Sequence, residues 1–305
     1  NKVRNIGFWR WTNLFGTRGS KVRILSPRPL KIIISSLFLV YIIIFYEYEI
    51  MNSHISNLFY SPVKSVSFSN SNNLIVQKNL GIKNDRIFSF TRNIDKKKSI
   101  DLEKNPKKRN LHYFLTLKNS PFLNKYDFEF KDDQLSLMLE NNLINSISTK
   151  NRDNFDIISQ ELMNREKLIK HPIYLIYNDK FPFFDTMPDN SISLINLSSI
   201  EDFVSKISLK IEHERFRGNI YIKGAPPWKE FEWIGKKINI NNCHFLVTDK
   251  IPRCSATNLK PGEVKDDINL PLKLRKVYGH INMGVYLIPL NDGIINIDNE
   301  VKLIL

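Results

Sequence analysis

The sequence predicts an α+β fold that is rich in β-structure. Two observations predict it. Short apolar runs separated by turn-forming residues recur through most of the chain, and the segment 198–211 repeats its apolar residues at helical spacing. With 305 residues, the chain is long enough for two domains, or for one large domain, with a real hydrophobic core. The change in pattern near residue 165 predicts a domain boundary there.

Apolar runs in the first half are short, which favours an antiparallel barrel or sandwich. The charged residues 95–110 predict a solvated loop, and the spacing of apolar residues over 134–168 predicts helices on both sides of a polar link. The strand-like runs are residues 55–60, 74–76, 87–90 and 111–115.

One helix in the second half has a well-marked beginning. Ser198 and Glu201 form a capping-box pattern, and the residues that follow place Ile200, Phe203 and Ile207 on one apolar face. The predicted strands of this half are residues 173–177, 192–196, 219–223, 237–247, 284–288 and 294–303.

Composition excludes several classes of protein. Two cysteines, Cys243 and Cys254, are too few for a disulfide scaffold or for a four-thiolate zinc or iron–sulfur site built by this chain alone. There is no Walker loop, GxGxxG or GxSxG motif, and the six histidines lack metal-ligand spacing. The formal net charge is +14, but no dense basic run interleaved with aromatic residues is present, so we expect no nucleic-acid partner.

Residues 1–50 differ from the rest of the chain. They hold eight Lys and Arg against two acidic residues, so +6 of the net charge lies there. The apolar run that follows the basic residues makes a membrane anchor through residues 30–46 one interpretation. Its fifteen most apolar residues, 32–46, are fewer than the ~20 that cross a bilayer, and no small-residue site favours a cleaved signal peptide.

We favour a third interpretation, in which residues 1–50 are a non-native upstream extension. Residues 19–29 resemble a transfer-RNA gene translated as protein, because Val22-Arg23-Ile24 can be encoded by the conserved T-arm sequence. Met51 then offers a start just before the first predicted strand. On this interpretation the protein is cytoplasmic, and it meets a membrane only if residues 30–46 are a genuine anchor.

Three places carry residues with chemical potential. Lys64 follows a predicted strand, Arg217 lies in the run 215–219 before another, and Cys254 follows Arg253 after a long strand. Spacing alone favours surface charges and a buried thiol. The functional alternative is a basic pocket for a phosphate-bearing anion beside a thiolate, since arginine grips phosphate and a nearby cation lowers a thiol pKa.

Taken in order, six segments resemble one family. The most telling is Pro252-Arg253-Cys254-Ser255-Ala256-Thr257. The others are residues 58–65, 81–88, 194–200, 214–220 and 228–233. Together they resemble a MOSC-domain protein with its N-terminal β-barrel partner domain. This is the family of molybdenum-cofactor sulfurase C-terminal domains, and it includes the amidoxime-reducing components.

The resemblance implies an N-terminal β-barrel-like domain over residues 54–165, packed with a MOSC β-barrel domain over residues 166–305. It implies a molybdenum cofactor (molybdopterin), and pyridoxal phosphate binding is also associated with the family. Cys254 matches the thiolate that ligates molybdenum, which suits a soft sulfur donor. The positions that match cofactor-binding residues are Lys64, Ser65, Arg86, Ser199, Arg217 and Asn219.

The resemblance further implies an oxidoreductase that reduces small N-hydroxylated substrates. A separate electron carrier (a ferredoxin, flavin or haem protein) would supply the electrons. The alternatives are a sulfur or cofactor carrier that uses a Cys254 persulfide, and a non-catalytic remnant. Three departures from the family pattern stand at Leu115-Thr116-Leu117-Lys118, at Gly218 and at Asp298-Asn299. The first of these puts one wall of the pocket in doubt.

Overall fold

The computed structural model describes residues 53–184 and 191–304, and they form the strand-rich α+β fold that the sequence predicts. Predictions for residues 1–50, including the anchor at 30–46, lie outside this part of the chain. The strands are β1 (His54–Tyr60), β2 (Ser69–Ser71), β3 (Asn73–Gln77), β4 (Gly81–Ile82), β5 (Phe88–Arg92), β6 (Tyr126–Lys131), β7 (Gln134–Leu139), β8 (Asn142–Ser148), β9 (Ile173–Tyr177), β10 (Ile192–Asn196), β11 (Ile220–Lys223), β12 (Lys237–Ile240), β13 (Cys243–Pro252), β14 (Asn282–Pro289), β15 (Gly293–Asn296) and β16 (Val301–Ile304).

The largest sheet has eight strands in the order β16-β12-β13-β14-β10-β11-β1-β2. Neighbours pair antiparallel except β10 and β11, which are parallel. Alternate residues of β13 (Cys243, Phe245 and Val247) are buried, as expected for a strand with one face on a core. Strands β16 and β2 are the edges, and no pairing among the described strands joins them into a closed barrel.

Three smaller sheets complete the fold, with the orders β15-β3-β4, β5-β9 and β6-β7-β8. Strands from the two predicted domains share sheets: β1 pairs with β11, and β3 pairs with β15. The boundary near residue 165 and the ranges 54–165 and 166–305 stay predictions.

Four α-helices lie in the described residues: α1 (Lys96–Lys104), α2 (Phe155–Arg165), α3 (Leu197–Ile207) and α4 (Leu270–Tyr278). None of the helices in these ranges is long and apolar enough to cross a bilayer. Helix α3 begins where the side chain of Asn196 accepts a hydrogen bond from the amide of Ser198 at 3.1 Å. The predicted capping box of Ser198 and Glu201 is therefore wrong, because Asn196 is the N-cap.

Further predictions of local structure are wrong. The predicted strand over 111–115 begins as the 3-10 helix Leu111–Tyr113. The predicted strands 237–247 and 294–303 are each a pair of strands, β12 with β13 and β15 with β16. The predicted loop 95–110 contains α1, which the carboxylate of Asp95 caps and which buries Leu102 completely. The predicted helix over the first part of 134–168 is the hairpin β7–β8, because Leu135 and Leu137 alternate inward. Residues 140 and 141 both have positive φ, which suits a two-residue hairpin turn.

Candidate functional site

A cavity of about 490 Å³ gathers six of the seven residues proposed from the sequence. Its wall comes from the loops that follow β1 and β13, the loops that precede β5 and β11, the segment 111–119 and the first residues of β10. The proposed residues in the wall are Lys64, Ser65, Arg86, Arg217, Asn219 and Cys254. Among the described residues that line it, several are cationic and none is Asp or Glu.

Lys64 is a buried cation beside two others. Only 3% of the residue is exposed, and its Nζ donates to the carbonyl of Phe183 at 3.2 Å. Burial, followed by the charges of Arg86 and Arg217, holds the pKa of Lys64 well below its usual value. A bound anion would relieve both effects, because it favours the charged ammonium.

Arg217 also faces burial and a like charge. Burial, and then the charge of Arg86, lowers the pKa of Arg217 to about 10. The Arg217 guanidinium lies 4.6 Å from the centre of the Phe68 ring, and Nη2 donates to the carbonyl of Val66 at 2.6 Å. Phe68 also lies 5.2 Å from the Arg86 guanidinium, so one aromatic ring orients both arginines.

The backbone around these cations is unusual. Ser65, Arg86 and Arg217 have φ values of 65°, 55° and 50°, in the left-handed region that residues with a Cβ seldom adopt. Such conformations cost on the order of 1 kcal/mol or more each and cluster at binding sites. Three in one cavity wall indicate that the fold holds these residues in place for a ligand.

Asn219 acts through Arg86. Its Oδ1 accepts from the hydroxyl of Ser193 at 2.8 Å and from Nη2 of Arg86 at 3.4 Å. Its Nδ2 donates to the buried carboxylate of Asp85 at 3.3 Å, which also pairs with Arg86 at 3.4 Å. The amide is thus committed to the protein, and its role is to position Arg86 at the cavity.

Cys254 is exposed just after the end of β13, so the buried thiol that spacing alone favoured is wrong, whereas Cys243 is buried in β13. The carbonyl of Cys254 accepts from both the amide and the hydroxyl of Thr257, at 3.1 and 2.9 Å. Behind it, Arg253 is buried and donates to the carbonyls of Phe216 (2.7 Å) and Met283 (2.9 Å). Arg253 therefore fixes the loop, and the thiol remains available at the cavity.

Ser199 lies elsewhere. Its hydroxyl donates to the buried carboxylate of Glu230 at 2.9 Å and accepts from the amide of Trp228, at the start of α3. Arg215, two residues before Arg217, is also used structurally, because it forms two 2.6 Å hydrogen bonds with Asp267. Neither residue lines the cavity.

Sequence reasoning missed Phe68, Asp85 and Ser193, which orient the cavity cations. No sequence pattern pointed to them, since each lies in a different strand or loop. The segment Thr116-Leu117-Lys118, which departs from the family pattern, does line the cavity. This wall of the cavity is therefore present, but its side chains differ from those of the family pattern.

The donor set fits an anionic group that carries a metal with one protein ligand. Buried cations on a wall without carboxylates would neutralise phosphate, and Cys254 offers a soft sulfur donor. No group of three or more His, Cys, Asp or Glu within residues 53–184 and 191–304 could hold a metal ion without such a cofactor. The cavity thus places buried cations beside a reachable thiol, a combination whose chemistry suits a phosphate-bearing anion.

The chain is similar to one known domain family and to two curated proteins. The MOSC domain family matches residues 183–302. It is 27% identical over 242 residues to a molybdenum cofactor sulfurase of Caenorhabditis briggsae, covering 76% of this chain and 33% of that protein. It is 32% identical over 103 residues to the Caenorhabditis elegans protein of the same name, covering 32% of this chain and 14% of that protein. The chain thus spans a third or less of the length of these curated relatives.

Two solved structures are also similar. The YuaD protein from Bacillus subtilis has 12% sequence identity and a TM-score of 0.39, covering 82% of this chain and 93% of its own. YiiM from Geobacillus stearothermophilus has 16% identity and a TM-score of 0.30, covering 37% of this chain and 54% of its own.

Proposed function

We propose that the chain binds a pterin-based molybdenum cofactor and is a molybdenum-dependent oxidoreductase that reduces small N-hydroxylated compounds. One observation carries the proposal: the exposed thiol of Cys254 shares a cavity with Lys64, Arg86 and Arg217, and no carboxylate of the described chain lines it. A second support is the match of residues 183–302 to the MOSC domain.

Each cavity residue has a distinct task in this proposal. Lys64, Arg86 and Arg217 neutralise the phosphate, and the phosphate in turn favours the charged state of Lys64, whose pKa is lowered by burial and by the two arginines. The Ser65 hydroxyl donates a hydrogen bond to the same anion. Asn219 keeps Arg86 in place, and Cys254 supplies the thiolate ligand.

When bound, the cofactor would supply a two-electron reduction in which the N–O bond breaks: one proton joins the hydroxyl group, which leaves as water, and a second proton joins the nitrogen. A separate iron–sulfur, flavin or haem carrier would provide the electrons, because two cysteines cannot ligate an iron–sulfur cluster in this chain alone. We also propose the two β-barrels that the family resemblance implies. The pairings between the described strands leave the sheets open, so barrel closure is part of the proposal.

The second candidate is a sulfur or cofactor carrier in which Cys254 bears a persulfide without redox turnover. The names of the two curated relatives favour it, since both are molybdenum cofactor sulfurases. The exposure of Cys254 suits either role, because a persulfide must also be reachable.

Turnover separates the two candidates. The full chain, produced in a host that makes the cofactor, should reduce a benzamidoxime with reduced viologen as donor. Cys254→Ser should abolish this turnover, and Cys243→Ser should retain it, since Cys243 is buried away from the cavity. Persulfide on Cys254 without any reductase turnover would support the carrier instead, and full turnover of Cys254→Ser would overturn both.

A further inference from the structure

Helix α1 and the turn after it present exposed, unpaired lysines. Lys97 and Lys104 are two turns apart on one face of α1, about 10 Å along its axis. Lys107 follows in the 3-10 helix Pro106–Lys108. Within the described ranges the three ammonium groups have no ion pair, hydrogen bond or ring contact, in contrast to Lys96 and Lys108, which pair with Asp156 and Asp101.

Exposed apolar side chains lie on α1 and on two segments that Arg109 connects to the C-terminal part of this helix. Ile100 is on the same face of α1 and is 41% exposed, Leu111 is 46% exposed, and Phe181 is 57% exposed. Exposed apolar side chains bordered by charge are typical of a surface that meets another protein. We call Lys97, Ile100, Lys104, Lys107, Leu111 and Phe181 the lysine surface.

Arg109 connects the lysine surface to the cavity. Its guanidinium donates to the carbonyls of Leu102 (3.0 Å) and Glu103 (3.1 Å) in α1, and to that of Phe181 at 2.6 Å. Two residues further along, Phe183 accepts from the cavity lysine Lys64. Leu111 itself lines the cavity. The lysine surface therefore borders the mouth of the site.

We propose that the lysine surface is the docking site of the electron carrier, and that this carrier is an acidic protein with a small apolar contact. The redox role of this docking rests on the proposed function; the binding does not. Unpaired lysines accelerate the encounter with an acidic partner. Because their ammonium groups stay well hydrated in the complex, they add little binding free energy and the partner can leave quickly. Such weak, small interfaces suit transient redox complexes.

An acidic protein fits this surface better than a nucleic acid does. Two of the three apolar side chains of the lysine surface, Ile100 and Leu111, are aliphatic, so only Phe181 offers a ring on which a base could stack. In each catalytic cycle two reduced one-electron carriers would dock in succession and give up one electron each, and the substrate would take up the two electrons with two protons as its N–O bond breaks. The docking residues themselves undergo no chemical change.

Charge reversal tests the docking site on the full chain. The variant combines Lys97→Glu, Lys104→Glu and Lys107→Glu, and the probe is a plant-type [2Fe–2S] ferredoxin, an acidic carrier. The matched control reverses three exposed lysines outside the surface and the cavity wall, Lys223→Glu, Lys236→Glu and Lys276→Glu. Titration calorimetry gives Kd at low and high salt.

We expect the surface variant to raise Kd for ferredoxin on the order of tenfold or more at low salt, and the control less than about threefold, with the difference lost at high salt. Turnover with reduced viologen should be unchanged, since that donor needs no docking. Equal effects of the two variants would overturn the docking site. So would tighter binding of a DNA duplex or of anionic vesicles through the same lysines. Salt-sensitive ferredoxin binding in a protein without reductase turnover would sustain the docking site and reject the proposed function.

Discussion

Glu230 makes the stability of the fold depend on pH. Glu230 belongs to the 3-10 helix Lys229–Trp233 and is completely buried. Its carboxylate packs against the first turn of α3. It accepts from Ser199 at 2.9 Å and from Asn196 at 3.2 Å, and no ion pair with a basic side chain is found within the described chain. Burial outweighs these hydrogen bonds and raises the pKa of Glu230 from 4.5 to about 7.

The direction of the effect follows from linkage. Below pH 4.5 the carboxyl is protonated in both the folded and the unfolded states, so its pKa shift has no effect on the free energy of unfolding. Between pH 4.5 and about 7 the unfolded chain releases this proton first, and the protein loses about 1.4 kcal/mol of stability for each pH unit. Above pH 7 the accumulated loss is about 3 kcal/mol.

Glu230→Gln should remove this loss, because its amide does not titrate. Urea unfolding of the wild type and the variant, followed by tryptophan fluorescence from pH 4.5 to pH 8, measures the difference. Between pH 4.5 and pH 8 the free energy of unfolding of the variant should rise by about 3 kcal/mol relative to that of the wild type. A difference between the two proteins that is the same at every pH would add to this change without altering it. Glu232→Gln, an exposed carboxylate of the same 3-10 helix, is the control. A difference between Glu230→Gln and wild type that does not change with pH would refute the reasoning.

Three other substitutions have specific expected outcomes. Arg217→Ala should lower molybdenum content more than stability, since it removes a charge-assisted contact of ~1.5–3 kcal/mol to the cofactor phosphate. Arg215→Ala should lower stability more than molybdenum content, because it breaks the pair with Asp267. Metal analysis and thermal unfolding compare the two variants. Gly284→Ala should cost at least ~2 kcal/mol in urea unfolding, because its Cβ would lie 2.4 Å from the carbonyl of Leu194 at a φ of 79°; Gly262→Ala, with a φ of 80° in open space, should cost less, and equal costs would count against the steric argument. Cys243→Ser should lose ~1–3 kcal/mol of stability, because it places a more polar hydroxyl at a completely buried position, but it should keep its molybdenum; loss of the metal would place Cys243 in the site.

The sequence predicted most of the strands, but it missed helix α1 and the hairpin β7–β8. Helix α1 was hidden because Leu102 is its only buried apolar residue, and the other buried residues, Ser99 and Glu103, are polar, so no apolar period is visible. The closely spaced leucines of the hairpin β7–β8 also fit a helical pattern, which is why a helix was predicted there. Only the two-residue turn at 140 and 141 distinguishes the hairpin from a helix.

The candidate site shows the same division. Lys64 and Arg86 meet because the amide of Arg86 donates to the carbonyl of Ser61 at 2.7 Å, and the amide of Lys64 donates to that of Phe88 at 2.9 Å. No periodicity reports such pairing, so only the ordered resemblance to the MOSC family brought these residues together. The same resemblance grouped Ser199 with them, and its real partner Glu230, 31 residues away, gave no local signal against that assignment.

Molybdenum analysis of the purified full chain tests the central claim most directly. Wild type and Cys254→Ser are produced side by side in a host that makes the cofactor, and metal and phosphate are measured on each. The account predicts about one molybdenum per wild-type chain with phosphate in step, and a clear loss of metal in Cys254→Ser while the fold persists. A correctly folded wild type that carries neither molybdenum nor phosphate would contradict the account.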